Sequence, residues 1–166
     1  MKQQKNQPSF TALPILCGDV HLMQNKQLQL SRNRLSDIEA LRHLQKIHGW
    51  HVALDTLLSR EYEALVLTDH RQRIQWVNEG FHDMTGYAPD YAIGKKPDFL
   101  QGRDTNTKAL RDVKLSLQEG KDFQTTIINY RANGEAYLCQ VAIFPLHDAQ
   151  QQLTHYLALE KERAWD

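Results

Sequence analysis

The sequence has only two cysteines, Cys17 and Cys139, in 166 residues. They lie far apart and give no metal-ligand spacing, so neither a disulfide framework nor a cysteine-based zinc site is available. Both are expected to stay as thiols in a reducing cytosol. Net charge is also missing: the formal charge is +0, and no concentrated basic surface can be read from the sequence. Nucleic-acid contact by this chain alone is not expected. No apolar run approaches the roughly 18 residues a membrane helix requires. The polar start MKQQKNQPSF is unlike a signal peptide. A cytoplasmic protein without a membrane segment is the expectation. Internal repeats of roughly 20–50 residues, a phosphate-cradling glycine loop, a nucleophile–base pair and paired carboxylates at catalytic spacing are all absent. No enzymatic activity is expected.

What is present is an orderly succession of short patterned segments. Residues 1–35 are rich in Gln and Asn, with apolar islands at Leu13–Cys17 and Val20–Met23, and read as a mobile tail. Ser36-Asp37-Ile38-Glu39 matches a capping box and predicts a helix start at Ser36. Ile38, Leu41, Leu44 and Ile47 follow at helical spacing, and Val52, Leu54, Leu57 and Leu58 continue after Gly49. Two helices, or one kinked helix, are expected over residues 36–60. Their apolar stripe needs a domain surface or a second copy to bury against.

From Glu61 the period changes. Glu61–Thr68 and Arg73–Val77 flank the polar Asp69–Gln72 and read as a β-hairpin. Glu79–Gly86 reads as a short helix stopped by glycine, and Pro89 opens a turn or another helix. Asp104 or Thr105 is expected to cap a helix over Asn106–Gln118, with Leu110, Val113 and Leu117 on one face and Gly120 as its stop. Phe123–Arg131, Ala136–Leu146 and Leu153–Glu160 read as strands. Asn133-Gly134 is the hairpin turn, and His147–Gln152 a polar turn. Tyr137, Cys139, Val141 and Ile143 share one face. The order predicts an α+β fold: an antiparallel sheet with helices gathered on one side.

Several stretches carry a family resemblance. "TD", "IQWVNEGF" and "MTGY" resemble the opening of a PAS (Per-ARNT-Sim) domain. "FLQGRDT", "IINYRANGEAY" and "IFPLHD" are similar to its light-oxygen-voltage subgroup. The resemblance covers about 61–160. It implies a PAS-like five-stranded antiparallel sheet with short helices on one face, here with an N-terminal helical extension. The implied division is a tail over 1–35, flanking helices over 36–60 and the PAS domain over 61–166.

The light-sensing subgroup holds a flavin nucleotide with a run Asn-Cys-Arg-Phe-Leu-Gln. The matching run here is Lys96-Pro97-Asp98-Phe99-Leu100-Gln101. Pro97 stands where the reactive cysteine would be, so no thiolate adduct can form. Asp98 replaces a phosphate-gripping arginine with a like charge, and Lys114 replaces another, keeping the charge and losing the fork. Asn129 matches an asparagine at the flavin edge. Cys139 replaces a second asparagine, and Glu160 replaces a glutamine of the last strand. Each stranded partner costs about 1–3 kcal/mol. No cofactor is therefore expected, with flavin as the alternative. Haem-binding relatives use a histidine on the helix before the third strand, and 106–118 has none.

Gln101, Asn129, Lys114, Cys139 and Glu160 remain as candidate pocket-lining residues. The plainer reading of Gln101 and Asn129 is that their amides satisfy backbone groups, and of Cys139 that it is a small apolar core residue. His43, His48 and His51 read as solvated or packed, and Trp76, Phe81 and Tyr87 as core aromatics. Two functions follow. One is a stand-alone signalling module that works by protein–protein interaction with an unidentified signalling protein and by homodimerisation through the N-terminal helices. The chain ends soon after the last predicted strand, so no output domain is expected. The other is a sensor holding a small molecule between sheet and helices.

Overall fold

The computed structural model describes residues 17–165. The chain divides into two compact units, 1–35 and 36–166. In the first, residues 17–35 are helical, where a tail was expected; residues 1–16 lie outside the described residues. Helix α1 (Cys17–His48) continues into the second unit without a break at Ser36. The capping box is therefore not used: Ser36 is an exposed residue inside a helix, and Asp37 is buried.

The second unit is built on five antiparallel strands in the order β2-β1-β5-β4-β3. These are β1 (Ala64–Asp69), β2 (Ile74–Val77), β3 (Phe123–Tyr130), β4 (Ala136–His147) and β5 (Leu153–Arg163). Side-chain oxygens shape the turns. Asp69 Oδ1 accepts from the amides of Arg71 and Arg73 at 2.8 and 2.9 Å. Asp148 Oδ1 does the same for Gln150 and Gln152, both at 2.9 Å. Such Asx turns let Gln72 and Gln151 adopt the left-handed backbone region, where φ is positive. At the Asn133-Gly134 turn, Gly134 also has positive φ, which glycine adopts without a Cβ penalty.

Period-two alternation splits the sheet into two faces. The inner face carries Ala64, Val66, Tyr137, Cys139 and Val141. It packs under α3 (Glu79–Thr85), α4 (Pro89–Ala92) and a 3-10 turn at Pro97–Leu100, through Phe81, Met84, Ala92 and Leu100. α5 (Thr107–Glu119) covers the rest of this face. Its N-cap is Asn106, whose Oδ1 accepts from Lys108 and Ala109, instead of the predicted Asp104 or Thr105. Thr105 is occupied elsewhere, donating to the Ile128 carbonyl at 2.7 Å and accepting from the Gly102 amide.

The outer face carries Leu65, Leu67, Phe144, Leu146, Leu157 and Leu159. These pack against Leu41 of α1, Trp50, and Leu54 and Leu58 of α2 (Leu54–Leu58). Ile38 and Leu44 join them, but Ile47, expected in the same stripe, is 60% exposed. The stripe thus finds its partner in the sheet of its own chain. Each leucine buried there contributes about 1.5–3 kcal/mol. The five-stranded α+β architecture agrees with the expectation, except that helices cover part of the second face too.

Candidate functional site

Between the inner face and α5 lies a cavity of about 130 Å³. Apolar walls come from Leu110, Val113 and Leu117 of α5 and from Val66, Ile127, Val141, Ile143 and Ala158 of the sheet. The face predicted for α5 is the one that lines it. Tyr156 Oη donates to the Leu117 carbonyl at 2.9 Å and fixes the helix end to β5. Polar groups enter from several sides: Thr68 from β1 and Gln72 from the turn after it, Asp98 and Gln101 at the 3-10 turn and its end, Asn129 from β3, and Tyr156 and Glu160 from β5.

Of the five candidate residues, the fold brings Gln101, Asn129 and Glu160 to this cavity. Lys114 is an exposed residue of α5 and does not line it. Cys139 is fully buried in the core beneath. Its Sγ lies 3.8 Å from Glu160 Oε2, so it supports the site from below. Asn129 departs from the plain reading: it is buried, yet its Oδ1 makes no hydrogen bond of ordinary geometry among the described residues, and neither does the hydroxyl of Tyr137, its cross-strand neighbour, which is near enough to feel the amide.

The electrostatics follow from burial. Glu160 is almost wholly removed from water. That burial raises its carboxyl to about 7, with the Cys139 contact opposing slightly. Burial also raises the Cys139 thiol, and the neighbouring Glu160 charge raises it further. This thiol is neutral and unreactive. The Tyr137 phenol is raised for the same two reasons, burial then Glu160, while Asn129 and Arg131 pull it down. The Arg131 guanidinium sits 4.6 Å from the centre of the Tyr137 ring and pairs with Glu162 at 2.6 Å. Asn129, Tyr137, Cys139 and Glu160 therefore form one coupled buried group under the cavity.

A second polar centre, which the sequence reading passed over, joins α1 to the sheet. Asn78 caps α3, accepting at Oδ1 from Phe81 N at 3.1 Å and from Leu65 N at 2.8 Å. Its Nδ2 donates to Asp37 Oδ2 of α1 at 3.0 Å. An asparagine directly before a helical segment was a usable signal. The capping-box match at Ser36 hid the part played by Asp37. At Gly80 any Cβ would meet the Glu63 carbonyl at 1.8 Å, so α3 can approach β1 only with glycine there.

No group of three or more His, Cys, Asp or Glu able to hold a metal occurs among the described residues. His48 instead packs against Trp50 and His155, with ring centres 5.2 and 4.3 Å away. No described helix is long and apolar enough to cross a membrane.

The fold and sequence have clear relatives. The "Blue-light photoreceptor" of Listeria innocua is 31% identical over 101 residues, covering 59% of this chain and 40% of that protein. The "Bacterioopsin transcriptional activator" of Halobacterium salinarum is 34% identical over 95 residues, 57% of this chain and 14% of that protein. The chain thus spans less than half the length of these curated relatives. Among solved structures, the LOV domain of the Erythrobacter litoralis blue-light activated histidine kinase superposes with a TM-score of 0.59 at 27% identity. The match covers 64% of this chain and 100% of that one. The structure reported as "Flavin Analogue Sheds Light on Light-Oxygen-Voltage Domain Mechanism" gives a TM-score of 0.62 at 28% identity, covering 69% and 87%. The PAS domain model matches residues 63–162. With the five-stranded sheet, the helix-walled cavity and this match in hand, the chain belongs to the PAS domain family, as a sensory module of light-oxygen-voltage-like fold.

Proposed function

We propose that this chain signals by changing what it binds, and not through the cysteinyl–flavin photochemistry its resemblance to light-oxygen-voltage domains would suggest. The observation that carries this is Pro97 at the cavity wall, beside Asp98. A proline offers no nucleophile, and a carboxylate beside a phosphate repels it. The cavity, at about 130 Å³, is also smaller than the ~300–1,000 Å³ typical of pockets for drug-sized ligands. A flavin nucleotide does not fit these residues: Lys114 stands away from the cavity, and no lysine, arginine or histidine is among the described residues that line it. The full chain purified from cells supplied with riboflavin is expected to be colourless. A stoichiometric yellow chromophore that bleaches in blue light would overturn this reading.

The output is a homodimer, formed through the first unit. Leu22, Met23, Leu28 and Leu35 of α1 are 59–74% exposed, and Leu28 and Leu35 are seven residues apart, on one helix face. The stripe over 36–60 is already buried on the sheet, so the dimerising element moves upstream of the expected helices. Light scattering should report a dimer for the full chain and a monomer for a Leu28→Glu/Leu35→Glu double variant. A wild-type monomer at high concentration would sink the proposal.

A second reading, a small-molecule sensor, is favoured by one specific feature: a buried oxygen of Asn129 without a donor among the described residues, in a cavity that also holds a buried acid. A buried acceptor left unpaired costs about 1–3 kcal/mol, which a ligand donor would restore.

A further inference from the structure

The cavity lining carries two acids, Asp98 and Glu160, and no base among the described residues. Two of the acceptors that line it are buried, Asn129 Oδ1 and the Glu160 carboxyl, and the Tyr137 hydroxyl, opposite Asn129 in the sheet, makes no hydrogen bond of ordinary geometry to either. Asn129 Oδ1 has no partner among the described residues, and the Glu160 carboxyl meets the Cys139 thiol only at a weak 3.8 Å. The rest of the lining is apolar, amide or hydroxyl. A volume near 130 Å³ is close to the ~150 Å³ cavity that admits benzene. A space of this size, with acceptors at its base and an acid at its rim, selects by charge sign as well as by shape.

We infer that this cavity takes a small organic cation: a single-ring or short aliphatic body carrying a protonated nitrogen that donates to Asn129 Oδ1 or Glu160. This rests on the sensor reading above and names the ligand class for it. An ammonium group supplies the donors that the asparagine oxygen lacks. It also gives Glu160 the counter-charge that makes a buried carboxylate tolerable. An anion would face two acids with no base to offset them. A neutral ring fills the space but leaves the carboxyl protonated.

Binding a cation draws Glu160 into its ionised form, so the complex carries a proton signature. The titratable and charged groups facing Glu160 are Cys139 and Tyr137 of β4, with Asp98 and Tyr156 at the cavity wall and Glu63 and Glu162 around Cys139. Cys139 and Tyr137 are held neutral by burial. With the acid near 7, affinity for a cation should rise roughly 20-fold from about pH 5.5 to about 7.5 and then level off.

The test is calorimetric titration of the full chain with three small-ring probes: piperidine hydrochloride, its neutral isostere tetrahydropyran, and the anion cyclopentanecarboxylate. Piperidinium should bind roughly tenfold or more tightly than its neutral isostere, since the ionised acid discriminates between them. It should release close to one proton at about pH 6 and almost none at about pH 8. Glu160→Gln should abolish the preference and the proton release together, and Asn129→Leu should weaken piperidinium binding by a smaller factor. Tetrahydropyran or the carboxylate binding as tightly as piperidinium, or piperidinium binding without proton release, overturns the cation assignment alone. Failure of all three probes to bind at millimolar concentration overturns the sensor reading with it.

Discussion

The two faces of the sheet have been filled in opposite ways. Outside, Leu41, Trp50, Leu54 and Leu58 interdigitate with Leu65, Leu67, Phe144, Leu146, Leu157 and Leu159. Their polar edges are mostly matched: Trp50 Nε1 donates to Thr154 Oγ1 at 3.0 Å, and Gln45 Nε2 donates to the carbonyls of Trp50 and Val52. Inside, helices wall a space that side chains do not fill, over a buried acid and an asparagine oxygen without a donor among the described residues. A face optimised for stability fills its volume and pairs its polar atoms. The outer face has a buried atom of its own without a partner among the described residues, His155 Nδ1, so what sets the inner face apart is a helix-roofed space lined by a buried acid and a buried amide oxygen. The charges differ as well. A depression of about 320 Å³ on the outer face is lined by Arg60, Lys161 and Arg163 with Glu61, whereas the inner cavity is acidic.

The sharpest way to break this comparison is to empty the outer face. Leu41→Ala removes a fully buried side chain. It should cost about 2–5 kcal/mol in denaturant unfolding. Val113→Ala, at the cavity wall, should cost clearly less, because its neighbours already face open space. Equal losses would mean that the two faces are packed alike.

The acid offers the next test. Glu160 rises from 4.5 to about 7 on folding. Below the lower of these values both states are protonated and it contributes nothing. Between the two the unfolded chain loses its proton first, so stability falls with rising pH, by on the order of 3 kcal/mol in all. Glu160→Gln should flatten that fall and exceed the wild type in stability above about pH 7. The outer face should slope the other way. His155 is lowered from 6.5 to about 4, mainly by burial and then by the charge of His48. Its share of stability is complete above the ordinary histidine value and is lost as pH falls toward the lowered one, because the unfolded chain takes up the proton first. In the Glu160→Gln background, replacing His155 with phenylalanine should remove this acid-side loss.

The join between helix and sheet comes next in size. Asn78→Ala leaves the Leu65 amide without its side-chain acceptor and removes one hydrogen bond each from the Phe81 amide and the Asp37 carboxylate. It should cost about 1–3 kcal/mol. Smallest is the exposed Arg42–Asp55 pair at 2.8 Å. Arg42→Ala should change unfolding by less than about 0.5 kcal/mol.

Much of the fold was legible because its signals are local. Asp69, Asn133-Gly134 and the glycines after α3 and α5 mark turns and helix ends through their own backbone preferences, and the structure keeps all of them. The stop at Gly120 held while the start of α5 moved to Asn106, because Thr105 was drawn away by a strand carbonyl 23 positions downstream. The same competition explains Ser36. A capping box is a local motif, but Asp37 finds a buried amide in Asn78, 41 residues away. At the site, residue identities suggested Gln101, Asn129 and Glu160, yet only folding separated them from Lys114 and Cys139. All five are polar or polarisable, and sequence spacing does not say which of them faces a void.

The sequence by itself determined the order of the strands and helices, the turns between them and the absence of a thiol at Pro97, because each depends on one residue or its near neighbours. Only the tertiary structure decided that the stripe of α1 lies on its own sheet and that Asn129 lacks a donor among the described residues. Only it decided that Glu160 holds its proton up to near neutrality. Those outcomes depend on which groups from distant segments exclude water from one another.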